Sequence, residues 1–174
     1  MSGHSKWSQI KHKKGITDKK RSQLFSKLLK AIKAAARTEP NPDFNPRLRT
    51  AIETAKSANV SMDNIKHAIE GVDGKDMEDV LIEGYGINGV AFLVSAITDN
   101  KNRTIAEIRK IFSDHEGKFA NPGSVMWAFE KDQEGNFVPK FPTKIDDATI
   151  EKISALEEAL DDHDDVVNIF TNAE

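Results

Sequence analysis

Positive charge is crowded into one end of this chain. Residues 1–37 hold eleven Lys and Arg: Lys6, Lys11, Lys13, Lys14, Lys19, Lys20, Arg21, Lys27, Lys30, Lys33 and Arg37. The same stretch holds one acid, Asp18, so it carries 11 − 1 = +10. All 174 residues sum to −3, which leaves −3 − 10 = −13 for everything after Arg37. A concentrated positive arm attracts polyanions, and an acidic remainder limits where on the molecule they settle. Trp7 sits inside the arm. Lysines grip phosphates without reading sequence, and a flat indole stacks on a base.

The length allows one large domain or two small ones. A hydrophobic fraction of 38% and a charged fraction of 30% fit a soluble globular protein with a modest core. There is no Cys, which excludes disulfides, thiolate metal sites and a cysteine nucleophile. No apolar run approaches the roughly 18 residues of a membrane span, so no membrane partner is expected. The N-terminus lacks the apolar core of a secretory signal. It shares a basic, acid-poor character with transit peptides, but Lys outnumbers Arg and Lys11–Lys14 lack helical amphipathicity. A cytoplasmic protein is the expectation.

Residues 1–16 show no apolar periodicity and read as an extended arm. Thr17 and Asp18 start a helix, with Leu24, Phe25, Leu28, Ile32 and Ala35 on one face and Lys20, Lys27 and Lys30 mostly off it. Pro40 and Pro42 break it. Asn45-Pro46 starts a second helix, which Asn59 can end in the left-handed conformation. Ser61 caps a third, terminated by Gly71. These three helices predict a small bundle ending near Gly74.

From Lys75 the apolar period changes to two and the charge changes sign. Residues 1–74 carry 15 − 7 = +8 and residues 75–174 carry 10 − 21 = −11. The predicted division is therefore a basic helical domain over 1–74 and an acidic α+β domain over 75–174. In the latter, Val80–Tyr85 and Val90–Thr98 read as strands and Thr104–His115 as a helix. Val125, Trp127 and Phe129 alternate as a strand, and Lys131–Asn136 is a polar turn. Phe137–Phe141 is a further strand. A helix capped by Asp146 or Asp147 and a strand over Val166–Thr171 close the chain. Leaving Val80–Tyr85 aside as an extra strand, the order is βαββαβ, the ferredoxin-like unit.

Several constellations could carry chemistry. Lys6-Trp7 with Lys11-His12-Lys13-Lys14 suits phosphate and base contacts, against the plainer alternative of a solvated tail. The basic residues Lys19, Lys20 and Arg21 continue that charge onto the first helix. Asn102 and Arg103 open the helix after the Val90–Thr98 strand, where free N–H groups face outward and Asn102 can cap. A well-capped turn with a surface Arg explains them equally. Asn121-Pro122-Gly123-Ser124 is a turn feeding a strand, or a functional loop. Asp161–Asp165 with His163 resembles a carboxylate-imidazole metal cluster, but adjacent acids at a helix end point apart, and a solvated turn is the better reading. No Ser-His-Asp elbow, zinc spacing or phosphate loop occurs, which favours a binding protein over an enzyme. No catalytic residue, metal, cofactor or small-molecule substrate is expected.

Gly3-His4-Ser5-Lys6-Trp7 followed by Ile10-Lys11-His12-Lys13-Lys14 resembles the N-terminal signature of the YebC/PmpR family. Further likenesses are Glu83-Gly84-Tyr85-Gly86, Thr98-Asp99-Asn100 with Asn102-Arg103-Thr104, and Pro122-Gly123-Ser124-Val125 with Trp127. Asp164-Asp165-Val166 with Asn168 and Thr171-Asn172 completes the set, in the family's order. The resemblance implies a helical domain followed by two α+β domains, the third inserted within the second. Here Lys131–Asn136 stands where that insertion belongs, so a short form without the third domain is expected. Ile87-Asn88 also replaces the family's usual Pro-Gly.

The resemblance further implies a regulator of gene expression. Members are described as probable DNA-binding transcriptional regulators, and others act in translation on the ribosome, helping synthesis through proline runs. One member is the mitochondrial translational activator of cytochrome oxidase subunit one. DNA and ribosomal RNA are thus the two candidate partners. Leu48–Ala58 and Met62–Ile69 mimic a helix-turn-helix, yet their exposed bases are interspersed with acids, which leans toward structured RNA. An enzyme using Asp99 and His115, and a protein-interaction adaptor, are the competing classes.

Overall fold

The computed structural model describes residues 17–71, 77–133 and 135–174. The predicted arm contacts Lys6, Trp7, Lys11, His12, Lys13 and Lys14 lie outside the described residues. Five helices and an antiparallel four-stranded sheet, with a separate two-stranded hairpin, make up a mixed α+β chain among those residues. They divide into two compact units. One holds Thr17–Asp79 with Ile97–Asn100, and the other holds Val80–Ala96 with Lys101–Glu174.

The first unit contains α1 (Asp18–Ala36), α2 (Pro46–Ser57) and α3 (Met62–Glu70). Each begins at the polar residue its sequence offers. The side chains of Thr17, Asn45 and Ser61 accept hydrogen bonds from the backbone N–H of Lys20, Leu48 and Asn64, satisfying groups that a helix start leaves open. Asn59 takes the left-handed conformation at φ 64° beyond α2, as expected. Ile32, Ala35, Leu48, Ala55, Ile65 and Ala68 from all three helices share one core. Lys27, expected toward solvent, is instead buried at 7% exposure.

The second unit runs β1 (Glu78–Tyr85, its first two residues in the other unit), β2 (Ala91–Thr98), α4 (Lys101–Asp114), β3 (Lys118–Ala120), β4 (Phe129–Lys131), β5 (Phe137–Pro139), α5 (Asp147–Asp161) and β6 (Val166–Thr171). The sheet order is β3-β1-β2-β6, and β4 pairs only with β5. This corrects the ferredoxin-like βαββαβ reading. Val80–Tyr85 is no extra strand: β1 lies inside the sheet, between β3 and β2, and Phe137–Pro139 is not part of that sheet. The outer place is filled by β3, whose three residues are too few to show a period. The segment around Trp127 is not a strand either, for Met126–Ala128 form a 3-10 turn.

Strand β2 is buried on both faces. Phe92, Val94 and Ala96 pack with Ile108 and Phe112 of α4 and Ile153, Leu156 and Leu160 of α5. Ala91 and Leu93 face the other way, against Val125, Ala128 and Phe129. The period-two alternation therefore builds three layers: two helices, a sheet, and a cover made of the 121–129 loop and the β4–β5 hairpin. The turn joining that hairpin closes through Asp132, whose N–H bonds the Asn136 carbonyl at 2.9 Å.

Candidate nucleic-acid interface

On the helical unit, the predicted contacts Lys19, Lys20 and Arg21 lie in the first turn of α1. Lys19 and Arg21 are exposed and Lys20 is half-buried. Arg21 has one nearby acid, Asp18, at 3.7 Å, and both side chains are well solvated. Such a pair contributes little and leaves the guanidinium accessible. Arg47 is different. It forks onto the Asp79 carboxylate at 2.9 and 2.5 Å, so its two donor arms are already engaged.

Phe44 is 77% exposed at the turn between α1 and α2. The turn that carries it is held in place. Asn45 donates to the carbonyls of Ala35 at 2.9 Å and Glu39 at 2.7 Å, while Arg49 donates to the Pro42 carbonyl at 2.8 Å. An aromatic ring is thus presented to solvent on a turn that Asn45 and Arg49 brace. Reading the chain residue by residue missed Phe44. Its flanking prolines, Pro42 and Pro46, were the available signal, since they exclude the ring's segment from a helix interior.

On the α+β unit, Asn102 and Arg103 lie in the first turn of α4. The helix begins at Lys101, so Asn102 is inside it and does not cap it. The Arg103 guanidinium meets the Asp165 carboxylate at 2.9 Å, and the Thr104 hydroxyl donates to the same oxygen at 2.7 Å. His163 bonds Glu107 at 2.8 Å, and its Nδ1 accepts the Asp165 N–H at 3.1 Å. The Asp161–Asp165 turn is therefore tied to α4 by specific pairs. No cluster of three or more His, Cys, Asp and Glu suited to a metal occurs among the described residues. Asp165 orients Arg103, whose side chain remains 43% exposed.

A third feature lies on the cover layer. Trp127 and Phe141 are 58% and 51% exposed, with ring centroids 5.7 Å apart. Lys140 sits 5.5 Å from the Phe141 ring. Beneath them the Glu83 carboxylate, buried at 5% exposure, accepts the N–H groups of Gly123 at 2.6 Å, Val125 at 2.6 Å and Met126 at 3.0 Å. Those N–H groups are spent on a side chain, which is why the segment is a loop and not the expected strand.

These features define a two-part α+β protein with exposed bases at the start of α1 and exposed aromatics on each unit. Residues 5–75 match the domain described as "TACO1/YebC protein N-terminal domain", and residues 77–135 match "TACO1/YebC second and third domain". A "Probable transcriptional regulatory protein" of Petrotoga mobilis is 42% identical over 179 residues, covering 100% of this chain and 71% of that one. One of the same description from Desulfosudis oleivorans is 46% identical over 180 residues, covering 100% and 72%. The crystal structure of a conserved hypothetical protein from Aquifex aeolicus superposes with a TM-score of 0.85 at 34% identity, covering 98% of this chain and 97% of that one. The chain belongs to the TACO1/YebC family. No helix among the described residues is long and apolar enough to cross a membrane.

Proposed function

We propose that this protein is a non-enzymatic, nucleic-acid-binding regulator of gene expression that acts in the cytoplasm. The observation that carries the reading is the segregation of charge: +8 over residues 1–74 against −11 over residues 75–174. A polyanion is drawn to the first part and repelled by much of the second. The basic arm, with Lys6, Trp7, Lys11, His12, Lys13 and Lys14, makes the primary contact, and the exposed start of α1 with Lys19, Lys20 and Arg21 extends it. In this reading the three helices act as a bundle that carries the arm, and Asn102 and Arg103 add a contact from the other domain. The description shared by the relatives, probable transcriptional regulatory protein, supports transcriptional control, and DNA is the partner this reading assigns.

Ribosomal RNA is the second reading, and one structural observation favours it. Phe44 and Trp127 are aromatic rings held out into solvent, and aromatic rings stack on unpaired bases, which folded RNA displays and duplex DNA hides. The outward faces of α2 and α3 mix Arg49, Lys56 and Lys66 with Glu53, Asp63 and Glu70, a poor match to a helix lying in a major groove.

The test is paired binding to duplex promoter DNA and to purified ribosomes, each titrated with salt, for the intact chain and for one lacking residues 1–16. Contacts to about six phosphates give a log–log salt slope near about −5 on duplex DNA. Tight ribosome binding that needs the arm, with weak sequence-blind DNA binding, selects translation. Preference for one promoter over scrambled duplex selects transcription. If removing residues 1–16 changes neither, the arm is not the contact.

A further inference from the structure

We propose that Trp127, Phe141 and Lys140 form a stacking platform for an unpaired base of single-stranded RNA, a second nucleic-acid contact on the domain that is acidic overall. The proposal rests on the nucleic-acid reading above and deepens it, joining Trp127 to Phe141 and Lys140 in one site.

Three observations carry it. The first is exposure. Two large rings, tilted by 42° with centroids 5.7 Å apart, both stand more than half in solvent. Leaving them there forgoes the burial that large aromatics normally gain. The second is rigidity. Trp127 Nε1 donates to the Ser124 carbonyl at 2.8 Å, and the Tyr85 hydroxyl donates to the same oxygen at 2.8 Å. Glu83 fixes the backbone on either side of Ser124. On the other strand, the Lys140 N–H bonds the Ala128 carbonyl at 2.8 Å. The buried Asn172 side chain donates to the Phe141 carbonyl at 2.8 Å. Both rings are therefore mounted on fixed backbone, so little ordering remains to be done on binding.

The third observation is charge. Residues 75–174 hold ten bases and twenty-one acids, yet residues 117–129 and 135–145, which carry the two rings, hold Lys118, Lys140 and Lys144 and no acid. The two segments that carry the rings thus hold three of the domain's ten bases, and its acids Glu130 and Asp132 lie between them in the hairpin. Two π-faces with Lys140 alongside match a base and its phosphate. Duplex DNA offers the phosphate without the base face, whereas single-stranded RNA offers both. Proline rings would suit the aromatics but give the Lys140 ammonium no anion to meet.

The experiment uses the full chain labelled with 5-fluorotryptophan. It has two tryptophans, Trp7 and Trp127, and Trp127→Phe assigns the two 19F resonances. A twelve-nucleotide oligoadenylate RNA is the probe, beside oligodeoxyadenylate, a blunt RNA duplex and a proline-rich peptide. The Trp127 resonance is expected to move with the single strands, equally for RNA and DNA because stacking ignores the 2′-hydroxyl, and not with the duplex. Trp127→Ala and Phe141→Ala are each expected to weaken oligoadenylate binding about five- to a hundredfold, with Trp127→Phe restoring most of it. Far-UV circular dichroism checks that the alanine variants fold. A still Trp127 resonance and unchanged affinities, in a chain that binds oligoadenylate, overturn the platform and leave the nucleic-acid reading standing. Movement with the peptide alone assigns the surface to a protein and also overturns it. A chain that binds none of the nucleic acids at low salt overturns both readings together.

Discussion

The Glu83 carboxylate and the Val125 N–H, 42 residues apart in sequence, meet at 2.6 Å in a buried position. The same carboxylate holds Gly123 and Met126, so one side chain shapes the loop that presents Trp127. Removing it leaves buried or part-buried N–H groups without an acceptor, each costing about 1–3 kcal/mol. Glu83→Ala is expected to destabilise the protein by about 2–4 kcal/mol in urea unfolding. Glu83→Gln keeps one acceptor oxygen but turns an NH2 toward an N–H, and should cost about 1–3 kcal/mol. An alanine variant within about 0.5 kcal/mol of the parent would mean that the loop holds itself.

Asp165 and Arg103 should respond unequally to substitution. Asp165 is buried, and it serves both the Arg103 guanidinium and the buried Thr104 hydroxyl. Asp165→Ala takes an acceptor from that hydroxyl and the ionic partner from Arg103, and should cost about 2 kcal/mol or more. Arg103 is 43% exposed. Its loss leaves the buried Asp165 carboxylate its bond from Thr104 and should cost about 1 kcal/mol, the scale of one hydrogen bond. Arg103→Ala therefore separates folding from binding. If Arg103 contacts nucleic acid, its variant binds oligonucleotide more weakly at nearly unchanged stability. Equal stability losses for the two variants would show instead that the Arg is a structural prop.

What the sequence revealed follows from how local each signal is. The helix starts at Thr17, Asn45 and Ser61 were readable because a capping side chain and its N–H partner lie three residues apart, and of the pair Asp146 and Asp147 it is Asp146 that caps. The place of β1 inside the sheet was not, because it depends on β3, whose pairing of Glu83 with Ala120 links distant residues through a three-residue strand. The alternation of Val125, Trp127 and Phe129 suggested a strand, but period two describes side chains and says nothing of where the backbone N–H groups go. Glu83 took them. Phe141 looked like the end of a strand and turned out to be an exposed ring, since β5 stops at Pro139. Of the candidate site, the charge was legible from composition alone, while the mounting of the aromatic pair required Glu83 and Asn172 to be seen in place.

Gly84 tests the packing between sheet and helix. A Cβ built there would come within 2.5 Å of the Phe112 ring, which is fully buried and meets Phe92 edge-on. The ring cannot yield without disturbing α4. Gly84→Ala should therefore destabilise by about 1–3 kcal/mol, the range for overpacking a filled core. Gly89→Ala serves as the comparison. Nothing lies within 4 Å of its Cβ, and its φ of 75° is the only obstacle. Urea midpoints for the two variants distinguish steric crowding from backbone strain, and a Gly84→Ala midpoint equal to the parent's would show that Phe112 moves freely.

Asp146 sets an acid dependence. It caps α5, and its pKa is lowered from 3.8, first by the Thr149 hydroxyl and then by the Thr149 N–H, which it accepts at 2.8 Å. The Thr149 hydroxyl oxygen in turn accepts a bond from Asn88 at 2.8 Å, which steers its proton toward the carboxylate. A carboxylate with a lowered folded pKa stabilises the native state fully above the unfolded value. That contribution disappears as pH falls through the folded value. Asp146→Ala should therefore lower Tm relative to the parent near about pH 7, and the gap should narrow below about pH 3. Asp146→Asn, whose amide oxygen caps without titrating, should keep a constant Tm advantage over Asp146→Ala at both. A Tm gap between Asp146→Ala and the parent that stays constant down to about pH 2 would show that the carboxylate's charge has no part in holding α5.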